Sequence, residues 1–129
     1  GCFPAECMGQ TGLDWLCIDM QHGCIDYSDV VPMLTALSTS SVVPIVRVPW
    51  NEPSMIMKVL DAGAYGVIVP MVSNRAEAER AVAACRYPPK GIRSNGPNRT
   101  ASWKPVDRLS YTTGTNPARA NCLQVWLPI

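Results

Sequence analysis

The sequence predicts an α/β fold built on a parallel sheet. Three observations carry that prediction. Short runs rich in Val and Ile alternate with stretches of helical periodicity. The runs are apolar at consecutive positions, which suits strands buried on both faces. Gly, Pro and Asn stand at the boundaries where strand and helix would meet. Two arrangements stay open: helices on both sides of an open sheet, or helices surrounding a barrel.

Each element has its own justification. Trp15-Leu16-Cys17-Ile18 is the first predicted strand and ends at Asp19. A helix is expected from Tyr27 to Leu37, where Val30, Val31, Leu34 and Leu37 recur at helical spacing and Asp26 or Ser28 supplies the cap. Pro44 to Val48 is the second strand. Asn51 then reads as an N-cap, with Pro53 in the first turn, Met55 to Leu60 as the helix body and Gly63 as the stop. Val67-Ile68-Val69 is the third strand, closing at Pro70. Asn74 is expected to cap a helix from Arg75 to Cys85, whose alanines favour that state. Cys122 to Leu127 is a fourth strand. The stretch from Tyr87 to Gly114 holds Pro88-Pro89, Gly91, Gly96-Pro97 and Pro105 without clear periodicity. It is expected to be either a functional loop or an unstructured surface segment.

Composition bounds the function. The 129 residues suit one domain, and 47% hydrophobic with 16% charged residues is too apolar for a disordered chain. Eleven basic residues against 10 acidic ones give a net charge of +1, and no basic run exists to grip a nucleic-acid backbone. No apolar stretch approaches the ~18–20 residues of a membrane span, and no signal-peptide pattern opens the sequence. The six cysteines are scattered, with no C-x-x-C pair for zinc or redox work. Reduced thiols in a cytoplasmic protein are the expectation. Cys17, inside an apolar run, reads as a small hydrophobe.

In parallel α/β folds ligands bind beyond the carboxyl ends of the strands. Asp19-Met20-Gln21-His22-Gly23 follows the first strand, and Arg47 lies near the end of the second. An acid, the one histidine and an arginine therefore map to one rim. His22 reads as a general base or as a structural cap. Asp19 would orient it or hold a metal-bound water. Arg47 reads as a carboxylate clamp or as a structural ion pair with Asp19 or Asp61. Asp61 lies near a helix end, where the dipole disfavours an acid, so a specific partner is expected. Glu77 and Glu79 read as a solvated helix face. Arg86, Arg93 and Arg99, with Asn95-Gly96, read as an anion-binding lid or as solvated residues. Phosphate-loop, dinucleotide and H-E-x-x-H motifs are absent.

At these residues a family resemblance emerges. GLDWLCIDMQHG, VPIVRVPWNEP, LDAGAYGVIVPMV and ACRYPPKGIRS, in this order and spacing, closely resemble the HpcH/HpaI aldolase family. The resemblance runs from about residue 5 to 102 and more loosely to the end. It implies a (β/α)8 TIM barrel and metal-dependent cleavage of 4-hydroxy-2-oxo acids to pyruvate and an aldehyde, or a related decarboxylation. It implies acid–base work for His22, support from Asp19, oxo-acid binding and enolate stabilisation by Arg47, and a supporting role near the site for Asp61. Many members carry glutamate before the histidine, where this chain has Gln21. The implied cofactor is a divalent ion, Mg²⁺, Mn²⁺ or Co²⁺. The implied partners are a small 2-oxo acid and further subunits, commonly in a hexamer, with neither nucleic acid nor membrane.

A closed barrel takes roughly 250 residues. The chain is therefore read as a partial domain over 1–129, roughly the N-terminal half of the barrel, without its first strand and C-terminal half. By that alignment the family's metal-binding Glu and Asp lie beyond Ile129, so no metal ligand is assigned within the chain and no tight metal binding is expected of it alone. The rival reading is a non-catalytic truncated product that binds or assembles only.

Overall fold

The computed structural model describes residues 1–96 and the backbone of Cys122–Val125. Among the described residues four helices and four strands follow in the order α1 (Cys2–Gly9), β1 (Trp15–Asp19), α2 (Tyr27–Leu37), β2 (Val43–Arg47), α3 (Pro53–Asp61), β3 (Gly66–Val69), α4 (Arg75–Cys85) and β4 (Cys122–Val125). The strands lie in the sheet in chain order, and every pair is parallel. The predicted α/β class with a parallel sheet is what the structure has.

Helix boundaries follow capping chemistry. At the start of α2 the backbone N–H of Asp26 donates to the Asp29 carboxylate at 2.9 Å. In α3 the cap is Glu52, not Asn51: its carboxylate accepts from the Ser54 N–H at 3.4 Å, and Pro53 takes the first helical position. Asn51 is instead buried and donates its Nδ2 to the Glu77 carbonyl at 3.0 Å. Asn74 caps α4 as expected, its Oδ1 accepting from the Glu77 N–H at 3.0 Å. Glu77 is not a merely solvated acid, because its carboxylate returns to the Ser73 N–H at 2.7 Å. Glu79 pairs with Arg75 one turn away at 2.6 Å, in a fully surface-exposed position.

Helix α1 has no counterpart in the sequence reading. Its buried residues are Ala5 and Gly9, which are too small to mark an apolar face. They work by close approach. A Cβ on Gly9 would lie 2.9 Å from Ser40 Oγ and 3.1 Å from Leu37 Cδ2, so the backbone of α1 rests directly on the end of α2.

The sheet is covered unequally. One hydrophobic cluster joins Ile18, Val46, Val67 and Val69 of the strands to Val30, Leu34, Ile56, Leu60, Ala81 and Ala84 of the helices. Ile18, Val46 and Val67 are in register, so they define one face. The opposite face carries Cys17, Ile45 and Gly66 in one row and Asp19, Arg47 and Ile68 in the next. None of these belongs to the cluster. Consecutive parallel strands joined by right-handed crossovers place their helices on one side, which accounts for the asymmetry. Among the described residues the helices thus cover one face of the sheet. Cys17 is accordingly exposed, not core.

The expected loop beginning at Tyr87 starts as a packed turn. The N–H groups of Ile92 and Arg93 donate to the carbonyls of Ala83 and Arg86, each at 2.9 Å. A Cβ on Gly91 would sit 2.3 Å from the Arg86 carbonyl oxygen and 2.4 Å from that of Ala83. Only glycine permits this return onto α4. Residues 97–121 lie outside the described residues, and so do Arg99, Pro105 and Gly114.

One-sided cover predicts an asymmetry in stability. Val46→Ala, on the helix side, should cost about 2 kcal/mol, and Val43→Ala, on the open side, less than about 1 kcal/mol. Urea unfolding midpoints measure both, and equal losses would contradict the one-sided core.

Candidate functional site

The carboxyl ends of β1 and β2 meet through a charge pair. Asp19 and Arg47 are register partners. Arg47 Nε donates to Asp19 Oδ1 at 2.8 Å, and Nη2 donates to Oδ2 to complete a two-pronged contact. The two side chains retain 26% and 30% exposure for Arg47 and Asp19, so the pair is partly screened yet open to a ligand.

The loop after β1 wraps around the same carboxylate. The backbone N–H groups of Gln21 and His22 donate to Asp19 Oδ1 at 3.0 and 3.3 Å. The Met20 N–H donates to the Arg47 carbonyl at 2.9 Å, which extends the ladder one residue past the strand. A Cβ at Gly23 would stand 2.1 Å from the Asp19 carbonyl oxygen, so the tight curl requires glycine there. One oxygen atom therefore receives the Arg47 guanidinium and the backbone of both Gln21 and His22. That atom fixes the histidine at the arginine's end of the sheet. The His22 side chain is exposed and Gln21 is half-buried.

The electrostatics follow from these contacts. The guanidinium of Arg47 holds the Asp19 carboxyl well below the usual carboxylate range; partial burial opposes this, and the Gln21 and His22 amides add to it. Arg47 is in turn raised by its bond to Asp19. Asp19 is thus ionised at neutral pH, with both oxygens engaged. Its observed work is to aim Arg47 and to shape the loop. Among the described residues it makes no contact with the imidazole.

Asp61 is not brought to this rim. It is the last residue of α3, which runs back toward the start of β3, and it accepts from Arg93 Nη2 at 2.6 Å. Its expected specific partner exists, but at the amino-end side of the sheet. Arg93 is fully buried and lies over the Tyr87 ring, 4.8 Å from the centroid. Arg93 is therefore neither lid nor solvated residue. Arg86, exposed after the end of α4, lies on that same far side.

Trp50 and Met71 fall at the same rim by sequence, where the residues alone assign them no role. Both are exposed large apolar residues just beyond the carboxyl ends of β2 and β3. Met71 also has a positive φ of 55°. Exposure and backbone strain leave no trace in composition or periodicity. Among the described residues, no three His, Cys, Asp or Glu side chains group to hold a metal ion, and no helix is long and apolar enough to cross a membrane.

Comparisons with known proteins agree on one relationship. Residues 4–121 match the family described as HpcH/HpaI aldolase/citrate lyase. A hydroxypyruvate/pyruvate aldolase of Rhizorhabdus wittichii is 50% identical over 99 residues, covering 77% of this chain and 39% of that protein. A 5-keto-4-deoxy-D-glucarate aldolase of Escherichia coli is 46% identical over 100 residues, covering 72% of this chain and 39% of that one. The crystal structure of an HpcH/HpaI aldolase/citrate lyase family protein from Burkholderia cenocepacia matches with a TM-score of 0.82 at 33% identity, over 97% of this chain and 50% of its own. The chain thus spans 39% of the length of the curated relatives it matches.

The charge pair predicts a pH dependence of stability. Because the folded-state pKa of Asp19 is depressed, its contribution is complete above the free carboxylate value of about 3.9 and erodes as the pH falls below it. Asp19→Asn should cost roughly 1–2 kcal/mol at pH 7, discounted for exposure. The gap to the native sequence should narrow at pH 3, measured by urea unfolding at both pH values. A constant gap would contradict the assignment.

Proposed function

The chain belongs to the HpcH/HpaI aldolase/citrate lyase family, and on that basis we propose that it supplies the proton-moving and oxo-acid-binding part of a carbon–carbon lyase. The reaction is cleavage of a 4-hydroxy-2-oxo acid to pyruvate and an aldehyde. The single observation that carries this reading is the convergence of Arg47 and the His22 backbone on one Asp19 oxygen, at the carboxyl end of the sheet. The names of the two aldolase relatives point the same way. The four parallel strands are then roughly the N-terminal half of a (β/α)8 barrel, a placement supported by their consecutive order and one-sided helix cover.

The roles follow from which atoms are free. Asp19 occupies Nε and one edge of Nη2 of Arg47. Nη1 and the remaining Nη2 hydrogen are left to meet the carboxylate or 2-oxo oxygen of the substrate. Cleavage removes the proton of the 4-hydroxyl and breaks the C3–C4 bond. The bonding electrons move onto the 2-oxo oxygen as an enolate, and C3 then takes up a proton to give pyruvate. Arg47 stabilises the enolate charge, and His22 accepts the hydroxyl proton. Asp19, tied down and ionised, is a positioning residue. Protonation at C3 is not assigned to a residue.

The family's chemistry calls for Mg²⁺, Mn²⁺ or Co²⁺. The described residues do not fit such an ion: they offer no ligand trio, and Asp19 is already committed to Arg47.

Two measurements test this. In the full-length natural chain that carries this sequence, assayed with Mg²⁺ or Mn²⁺, His22→Ala should lower kcat by about 10²–10⁴-fold, and Arg47→Lys should chiefly raise KM for the oxo acid. Unchanged turnover in His22→Ala would remove the histidine from the reaction. The 129-residue polypeptide by itself should show no turnover, because its described residues offer no group of side chains to hold the family's metal ion. Metal-dependent activity that survives purification and is lost in His22→Ala would overturn that expectation.

A further inference from the structure

We infer that Asn51 is a positioning residue for Arg47: its carboxamide latches the loop leaving β2 to the first turn of α4 and so fixes the backbone from which the guanidinium reaches the oxo acid. This rests on the aldolase reading of the site and deepens it. Asp19 holds the guanidinium itself, and the carboxyl end of β2 needs a restraint of its own on the other side.

Position comes first. Arg47 is the last residue of β2. One more ladder bond follows on the β3 side, from the Val48 N–H to the Ile68 carbonyl at 3.1 Å. Pro49 then brings no N–H to continue the ladder, and Pro49, Trp50 and Glu52 are exposed. Between these exposed neighbours Asn51 is buried, with 5% of its surface accessible. Its Nδ2 donates to the Glu77 carbonyl at 3.0 Å, a contact between two distant stretches of chain.

The anchor at the far end of this bond is firm. Glu77 lies in the first turn of α4, where its N–H donates to Asn74 Oδ1 at 3.0 Å and its carboxylate accepts from the Ser73 N–H at 2.7 Å. Its amide, carboxylate and carbonyl are thus all engaged, the last by Asn51. Ser73 and Asn74 belong to the turn between β3 and α4. The bond therefore ties the exits of β2 and β3 together at the pole that carries Arg47. On the β1 side Arg47 is held by the Asp19 carboxylate and, through its carbonyl, by the Met20 N–H. Asn51 supplies the restraint on the β3 side.

Energetics separate positioning from stability. Asn51 Oδ1 is buried with no partner among the described residues. An unanswered buried oxygen destabilises the fold, so the amide is a poor filler for its space. A leucine, of the same branched shape, would occupy that space without the oxygen. What leucine cannot supply is the bond that fixes the loop to α4. Small displacements of a substrate-binding group cost binding and rate steeply. Loss of the bond should therefore show in substrate binding more than in unfolding.

The test uses the full-length natural chain with Mg²⁺ or Mn²⁺ and pyruvate. Wild-type exchange of the pyruvate methyl protons in D₂O, followed by NMR, reports whether the aldolase reading holds; its absence overturns both proposals. With exchange present, Asn51→Leu should raise the KM for pyruvate about 10-fold and change kcat by less than about 3-fold. Its urea unfolding midpoint should stay near that of the wild type, and Asn51→Ala should move KM in the same direction. In an Arg47→Lys background Asn51→Leu should raise KM by less than about 2-fold more, because the group it positions is gone. An equal rise in both backgrounds makes Asn51 a structural residue and overturns the inference. An unchanged KM in folded Asn51→Leu overturns it too, as does failure of both Asn51 variants to fold. Each of these outcomes leaves the aldolase reading standing on the wild-type exchange.

Discussion

The bond between Arg47 and Asp19 is the constraint from which the candidate site follows. It joins adjacent strands at their carboxyl ends, where the backbone ladder is running out. A guanidinium on a strand needs a counter-charge, and a carboxylate facing it across the register needs a cation. Each answers the other, and neither is sealed from water. The same carboxylate then gathers two amides of the following loop, so one acidic group sets the arginine's aim and the histidine's place together. Substituting the acid would disturb both, although its bond is to the histidine's backbone N–H and not to the imidazole.

A second charged pair shows how differently the same chemistry can be used. Arg93 and Asp61 sit on the far side of the molecule, with the arginine buried under an aromatic ring. There the cation organises the chain that follows α4, and its burial leaves no edge for a ligand. Exposure, more than residue type, separates an arginine open to a ligand from a structural one.

Much of this was readable in the residues. The helix over Tyr27–Leu37 and the helix over Arg75–Cys85 coincide with their predicted bounds, because aliphatic periodicity and capping residues act locally. Placing Asp19, His22 and Arg47 on one rim required only the rule that parallel strands present their carboxyl ends together. What failed was nonlocal. Asn51 resembles a cap, yet a neighbouring helix claims its amide and Glu52 caps instead. Cys17 sits among apolar residues, yet among the described residues no helix covers its face and it is exposed. Asp61 stands in a motif resembling the family's, yet the course of α3 carries it away from the rim. Helix α1 packs through Ala5 and Gly9, whose contribution is the absence of bulk, and periodicity cannot register an absence.

The anchoring of Arg93 has a topological corollary. Arg93 is held next to Asp61, just upstream of β3, and β4 begins at Cys122, which is paired with the first residue of β3. Arg93 and the start of β4 are therefore both placed at one pole of the sheet. The opposite pole, which carries Asp19, His22 and Arg47, is assembled from β1, β2 and the loop after β1, and depends on neither of them.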